Sequence, residues 1–119
     1  MFYHYISKEF PFDNLTKGII NCSLLYKYVK AKRMESIRIN ISELKYGDTS
    51  YIKELSERYK RSDLNLPCLV VDFGDYYRLI DGKHRLKKTI NNNDDDSLLC
   101  YILTKKEALR FLSLKGCDS

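Results

Sequence analysis

Apolar residues in the first third of the chain follow two patterns, first that of a helix and then that of a strand. Steps of four and three residues predict one face of an amphipathic helix, capped at Asp13 or Asn14 and running to about Arg33, with Leu15, Ile19, Cys22, Tyr26 and Val29 on that face. From Ser36 to Leu44, apolar and polar residues alternate. This alternation predicts a strand with one buried face.

The middle of the chain predicts a loop, a short helix and a hairpin. Residues 45–50 contain a glycine and read as a loop, and the apolar positions between Tyr51 and Arg61 predict a second helix. Leu66 to Asp72 is a continuous apolar stretch with a proline near its start, which is typical of a buried strand. A tight turn at Phe73-Gly74-Asp75 leads into a return strand, Tyr76 to Ile80.

A helix is predicted directly behind Gly82, because Leu86 and Ile90 stand one helical turn apart. Asn91 to Asp96 reads as a loop and Leu98 to Leu103 as another strand. Thr104 and Glu107 have the spacing of a capping box, which predicts a last helix through Leu112 with Gly116 past its end. The fold class expected from these elements is a small α/β (α+β) domain, with a mixed sheet, flanking helices and an extra N-terminal helix.

Size and composition favour one compact domain. The chain has 119 residues, of which 44% are hydrophobic. We expect residues 1–34 to form an N-terminal helical extension packed on a domain at 35–114, with a tail at 115–119. Apolar runs are far shorter than the roughly 18 residues that span a bilayer, and no signal-peptide pattern is present. The expected protein is soluble and cytoplasmic, without a membrane partner.

Cysteine spacing and charge add little to this picture. The four cysteines, at positions 22, 68, 100 and 117, form no Cys-x-x-Cys pair, so reduced and mostly buried thiols are expected rather than a zinc site or disulfides. The net charge is +5, and residues 1–34 hold six basic and two acidic side chains. Such a basic run can attract a polyanion, but it is more often the solvated face of a helix.

The segment Asp81-Gly82-Lys83-His84-Arg85 carries the candidate chemistry. Where a strand feeds a helix through glycine, the first amide N–H groups of the helix have no internal partner and face an anion favourably. Gly82 allows close approach of a phosphate, and the three following side chains add donors around it. The alternative is an ordinary Asp-Gly turn whose basic residues only solvate the helix.

The order of elements and the motif resemble the N-terminal domain of ParB proteins and the sulfiredoxins. The resemblance covers about Ile37 to Leu112. Its most specific parts are Leu66-Pro67-Cys68-Leu69-Val70-Val71 and Tyr77-Arg78-Leu79-Ile80-Asp81-Gly82-Lys83-His84-Arg85-Leu86. The resemblance implies that nucleotide phosphates contact Gly82, His84 and Arg85, with Lys83 beside them.

Members of this superfamily catalyse different reactions. Segregation ParB proteins bind and hydrolyse CTP with a Gly-Glu-Arg-Arg turn, which this chain lacks. Sulfiredoxins have a reactive cysteine where this chain has Lys83, so sulfinic acid reduction is not expected. Related free-serine kinases use a carboxylate near the first strand as base. Glu43 and Asp48 are the carboxylates available for that role here, but the loop matches the kinases too poorly to assign it to either.

The expected cofactor is therefore an NTP, either ATP or CTP, with Mg²⁺. Asp81 is the better candidate metal ligand and Asp72 a second, although capping of the helix is an equally good role for Asp81. The candidate catalytic residues are Asp81, His84 and Glu43. The acidic triplet Asp94-Asp95-Asp96 is interpreted as solvated.

Three functions remain open from the sequence. The first is a nucleotide-binding enzyme that hydrolyses an NTP or transfers its phosphoryl group. The second is a small basic DNA-binding protein or ParB-like nuclease. The third is a non-catalytic adaptor, encoded by a phage or plasmid, that binds a host protein through its aromatic N-terminus. A monomer and a homodimer are both compatible with the sequence.

Overall fold

A computed structural model describes residues 3–47, 49–53, 56–92 and 96–113. Eight strands and four α-helices form in this part of the chain. The strands are β1 (Tyr3–Ile6), β2 (Gly18–Asn21), β3 (Ile37–Asn40), β4 (Leu44–Lys45), β5 (Cys68–Asp72), β6 (Tyr77–Asp81), β7 (Ser97–Thr104) and β8 (Leu112–Ser113). The helices are α1 (Cys22–Ala31), α2 (Glu57–Lys60), α3 (Lys83–Asn92) and α4 (Lys105–Leu109).

The main sheet has five strands in the order β3-β7-β5-β6-β4. It is mixed, because β5 runs parallel to β7 and β4 runs parallel to β6, whereas the β5–β6 and β3–β7 pairs are antiparallel. The predicted mixed sheet with flanking helices is confirmed. The order places β5 and β6 in the interior of the sheet, so the segment that follows β6 leaves from a central strand.

A second, antiparallel sheet has the order β1-β2-β8, and it corrects the prediction for the first helix. Ile19 does not lie on a helix, because β-branched residues at 19 and 20 extend the chain beside β1. The helix begins only at Cys22, after Asn21 accepts a 3.1 Å hydrogen bond from the amide of Leu24. A predicted cap at Asp13 or Asn14 was therefore wrong.

Three other predicted elements are shorter than expected. The second helix covers only α2, where Ser56 caps the start by accepting a 3.2 Å bond from the amide of Tyr59; Leu55 lies outside the described residues. A 3₁₀ turn at Ile41–Glu43 ends the predicted strand after Asn40. The last helix ends at Leu109, because Leu112 pairs with β2 instead; Gly116 lies outside the described residues.

Two features predicted from neighbouring residues are confirmed, the β5–β6 turn and the cap of the last helix. The β5–β6 turn closes with a 3.0 Å bond from the amide of Phe73 to the carbonyl of Tyr76. At the start of α4, the Thr104 hydroxyl accepts from the amide of Glu107, and the Glu107 carboxylate accepts from the amide of Thr104, both at 3.0 Å. This reciprocal pair is a capping box.

The two faces of the main sheet bury separate apolar clusters. One face packs Leu69, Val71 and Ile80 against α1 and the three-stranded sheet, and the other packs Val70 and Leu79 against α3. Alternate residues of each strand therefore contact opposite layers. None of the helices in the described ranges has the length and apolar character needed to cross a membrane.

Candidate functional site

A large cleft lies in front of the N-terminus of α3. Its volume is about 1320 Å³, and the whole segment Asp81–Arg85 lines it, together with residues of β1, α1 and the loop before β5. We call this opening the α3 cleft. The structure thus brings all five residues of the predicted phosphate motif to one surface.

The charges lining the α3 cleft are unbalanced. Among its described lining residues are six cationic side chains and three acidic ones. The cationic ones are Lys30, Arg58, Arg61, Arg78, Lys83 and Arg85, and the acidic ones are Glu57, Asp63 and Asp81. A concave surface with an excess of one charge concentrates ligands of the opposite charge.

Gly82 occupies a backbone conformation that other residues rarely adopt, with φ of +118°. A Cβ at this position would also collide with the Cys68 side chain. The first helical bond of α3 runs from the amide of Leu86 to the carbonyl of Gly82, at 2.9 Å. The amides of the three preceding residues therefore have no acceptor within the helix.

The guanidinium of Arg85 binds three segments of the protein. Its Nη1 donates to the carbonyls of Leu66 and Pro67 at 2.9 and 2.7 Å, and its Nη2 donates to the Tyr26 hydroxyl at 2.9 Å. Nη2 also lies 3.5 Å from Oδ2 of Asp81. Arg85 thus holds the turn in place, and its predicted contact with a ligand phosphate stays a prediction.

Asp81 shares this cluster. Its Oδ2 accepts a 2.6 Å hydrogen bond from the Tyr26 hydroxyl, and its side chain is 13% exposed. Burial and the negative charge of Asp81 raise the pKa of Tyr26 well above its ordinary value, so the phenol stays protonated as a donor. The sequence predicted Asp81 as a metal ligand or a helix cap, and neither role includes this hydrogen bond to α1.

Lys83 and His84 complete the motif from the first turn of α3. The ammonium of Lys83 lies 5.9 Å from the ring centroid of Tyr51. Burial, together with the positive charge of Arg58, lowers the pKa of His84. The imidazole is therefore neutral at neutral pH, where it can accept a proton or donate a hydrogen bond.

The other predicted acidic residues are not gathered at this site. Glu43 is exposed at the end of the 3₁₀ turn and is not among the described residues lining the cleft, and Asp48 lies outside the described residues. Asp72 lies at the opposite end of the β5–β6 hairpin from Asp81, so the two carboxylates do not share an ion. Of the acidic triplet, only Asp96 is described, and it is exposed.

No group of three or more His, Cys, Asp or Glu side chains converges within the described ranges. A divalent ion in the α3 cleft would therefore depend on Asp81 and on ligand oxygens. The hydrogen bond from Tyr26 and the ion pair with Arg85 both use Oδ2 of Asp81. The roles of Asp81 as metal ligand, and of Asp81, His84 and Glu43 in catalysis, stay predictions.

Sequence reasoning missed three residues of the cleft. Tyr26 was assigned only to the buried helix face, and His4 was not considered. Arg78 had a visible signal, since it interrupts the apolar strand Tyr77-Arg78-Leu79-Ile80. It proves to be buried, with 4% of its surface exposed.

The thiols in the described part of the chain are free and buried, at Cys22, Cys68 and Cys100. Burial raises the pKa of Cys68 to about 11 and that of Cys22 and Cys100 to about 12. A protonated, buried thiol is a poor nucleophile. Cys117 lies outside the described residues.

Comparison with known proteins gives a likeness to solved structures and to nothing else searched. No family model and no curated protein matches this chain. Among solved structures, the chain is similar to sulfiredoxin from Arabidopsis thaliana, with 21% identity and a TM-score of 0.42 over 63% of this chain and 92% of that chain. A likeness of this degree carries no argument about ligand or activity.

Proposed function

We propose that this chain binds a nucleotide through its phosphates in the α3 cleft, as a protein of the ParB/sulfiredoxin type. The observation that carries the proposal is the position of the α3 N-terminus. Its first amides open toward a cleft whose described lining has twice as many cationic as acidic side chains. Amide donors and surrounding cations are the two features that phosphate recognition by proteins most often combines.

Aromatic side chains on the walls of the cleft support a nucleotide rather than a bare phosphate. Tyr5 and Tyr51 line the cleft and are 66% and 59% exposed. Exposed rings of this kind stack on bases. The cleft volume of about 1320 Å³ is ample for a mononucleotide.

The reaction proposed for this site is hydrolysis of an NTP or transfer of its terminal phosphoryl group. In either case the acceptor oxygen forms a bond to the γ-phosphorus, the bond to the β–γ bridging oxygen breaks, and an NDP leaves. Lys83 neutralises negative charge that builds up on the phosphates, and neutral His84 receives or supplies a proton.

One Mg²⁺ ion fits the donor set of this site. Magnesium in nucleotide sites is bound by one or two carboxylates together with substrate phosphates, and Oδ1 of Asp81 supplies one such ligand. When bound, the ion neutralises phosphate charge. Tyr26 and Arg85 fix the orientation of the carboxylate through Oδ2, so the residues present hold the ligand oxygen in place before the nucleotide enters.

Sulfinic acid reduction is not part of the proposal. That chemistry needs a thiolate at the first position of α3, which is Lys83 in this chain. Cys68, whose thiol lies beside Gly82, is buried and has a pKa of about 11. It is therefore not a substitute nucleophile.

Isothermal titration tests the proposal. ATP, CTP and GTP are titrated separately into the full chain with Mg²⁺, and we expect saturable binding of at least one of them. Lys83→Met should weaken that binding at least tenfold, since it removes a cation beside the phosphates. Lys106→Met, which removes an exposed charge on α4, is the matched control and should bind as the wild type does.

Two results would overturn the proposal. One is the absence of heat with all three nucleotides. The other is equal loss of binding in both variants, which would indicate non-specific attraction to net charge. If the chain instead binds duplex DNA with affinity that falls steeply as salt rises, the DNA-binding alternative is favoured.

A further inference from the structure

Arg78 is a buried cation without a counter-ion among the described residues. Its side chain extends from the interior strand β6, and its guanidinium carbon lies 3.9 Å from the ring centroid of Phe10. Nε and Nη1 are buried, and neither has a hydrogen-bond partner in the part of the chain that the structure describes. Burial lowers the pKa of Arg78, as expected for an uncompensated charge.

An unpaired buried guanidinium is costly, so its presence needs a cause. Buried charges in proteins are almost always paired, and an unsatisfied buried cation destabilises the fold. The contact with Phe10 offsets only part of this cost. Because Arg78 lines the α3 cleft, a ligand in that cleft is positioned to supply the missing negative charge.

The ammonium of Lys83 and the guanidinium of Arg78 both lie near Gly47. A Cβ on Gly47 would lie 3.0 Å from Nζ of Lys83 and 3.9 Å from Nη2 of Arg78. The backbone of Gly47 is not in the left-handed region, so conformation does not require glycine there. The missing side chain lets the Lys83 ammonium lie close to this backbone, near the guanidinium of Arg78.

His4, on strand β1, is a third nitrogen-bearing side chain that lines the cleft with Arg78 and Lys83. It is 8% exposed, and its Nε2 has no hydrogen-bond partner among residues 3–47, 49–53, 56–92 and 96–113. Burial and the positive charges of Arg78 and Lys83 lower its pKa to about 4. The imidazole is therefore neutral at neutral pH and available for hydrogen bonding without adding a further charge.

We propose that Arg78, Lys83 and His4 form a subsite for a doubly charged phosphate group next to Gly47. This inference rests on the proposed function and deepens it, because it assigns the terminal phosphate of the nucleotide to Arg78 rather than to Arg85. Two cationic groups that lie near Gly47 and line the same cleft match a phosphate dianion better than a singly charged carboxylate. Arg85 remains the residue that positions the turn.

The test compares ATP with AMP on the wild type and on Arg78→Met. We expect the wild type to bind ATP at least tenfold more tightly than AMP, and the variant to lose that preference. Methionine has a similar volume without the charge, so the ligand-free variant should melt at the same temperature as the wild type or higher. Arg110→Met, which removes an exposed guanidinium 5.2 Å from the Tyr28 ring, is the matched control.

Gly47→Ala provides a second variant with little effect on folding. The added methyl group would lie 3.0 Å from Nζ of Lys83 and push the ammonium away from Arg78. We expect ATP affinity to fall several-fold while the melting temperature stays unchanged. Lys83 is flexible, so the methyl group can be accommodated in the ligand-free protein.

The outcomes separate the two proposals. If the wild type binds neither ATP nor AMP, the proposed function itself fails. If it binds ATP but Arg78→Met retains the preference over AMP, only the subsite fails. A large drop in the melting temperature of ligand-free Arg78→Met would also overturn the subsite, because Arg78 would then stabilise the fold through the protein alone.

Discussion

The hydroxyl of Tyr26 lies 2.6 Å from Oδ2 of Asp81, and this hydrogen bond ties helix α1 to the turn that begins α3. The same hydroxyl accepts a 2.9 Å bond from Nη2 of Arg85. Tyr26, which is distant in sequence, and Arg85, which is four positions away, thus fix the Asp81 carboxylate at the mouth of the α3 cleft. The N-terminal part of the chain is therefore a component of the candidate site.

Tyr26→Phe removes both bonds and leaves the ring in place. We expect the free energy of unfolding to fall by about 2 kcal/mol, because a buried carboxylate loses a donor. Urea denaturation measures this change. Tyr101→Phe is the control and should be near neutral, because the Tyr101 hydroxyl forms no hydrogen bond with the described residues. Equal stability of Tyr26→Phe and the wild type would contradict the proposed arrangement.

Arg85→Met should be more damaging than Tyr26→Phe. It leaves Asp81 without its cation and frees the carbonyls of Leu66 and Pro67. Breaking a buried ion pair from one side costs about 3 kcal/mol or more. Thermal denaturation without ligand tests this. A variant that is stable but fails to bind nucleotide would show instead that Arg85 serves the ligand rather than the fold.

Gly82→Ala tests why the motif has a glycine. Both a positive φ and the collision with Cys68 oppose a side chain there, and we expect a loss of about 3 kcal/mol in unfolding free energy. Gly74→Ala is the matched control, since Gly74 also has a positive φ, but no atom of the described residues would lie within 4 Å of a Cβ there. It should cost only about 1 kcal/mol. Equal losses would refute the role of the Cys68 contact.

His4 predicts a pH dependence of stability. Its pKa is about 4 in the folded protein, against an ordinary value of 6.5. Between these values the unfolded chain binds a proton that the folded chain does not, so stability falls as the pH is lowered from 6.5 toward 4, by up to about 3 kcal/mol. Denaturation at several pH values measures the slope, and His4→Gln should reduce it. An unchanged slope in that variant would assign the effect to other groups.

The features foreseen from the sequence depend on neighbouring residues. The capping box at Thr104, the hairpin turn after Asp72 and the start of α3 behind Gly82 each require partners within a few positions. Such signals can be read directly from the order of residue types. The same holds for the grouping of the phosphate motif, because its members are consecutive.

The features missed depend on partners far away in the chain. Ile19 lies on a strand because β1 and β8 flank it, and the spacing of apolar residues could not reveal those neighbours. The partners of Arg85 come from α1 and from the loop before β5. The burial of Arg78 likewise depends on Phe10, which is 68 positions away in the printed sequence.

Titration of the ¹⁵N-labelled chain with ATP and Mg²⁺, followed by amide NMR shifts, tests the central claim most directly. We predict saturable shifts of the amides of Gly82, Lys83 and His84, with the amides of Lys106 and Leu109 on α4 unaffected. Absence of shifts at the start of α3, or shifts confined to α4, would contradict the assignment of the α3 cleft as a nucleotide-phosphate site.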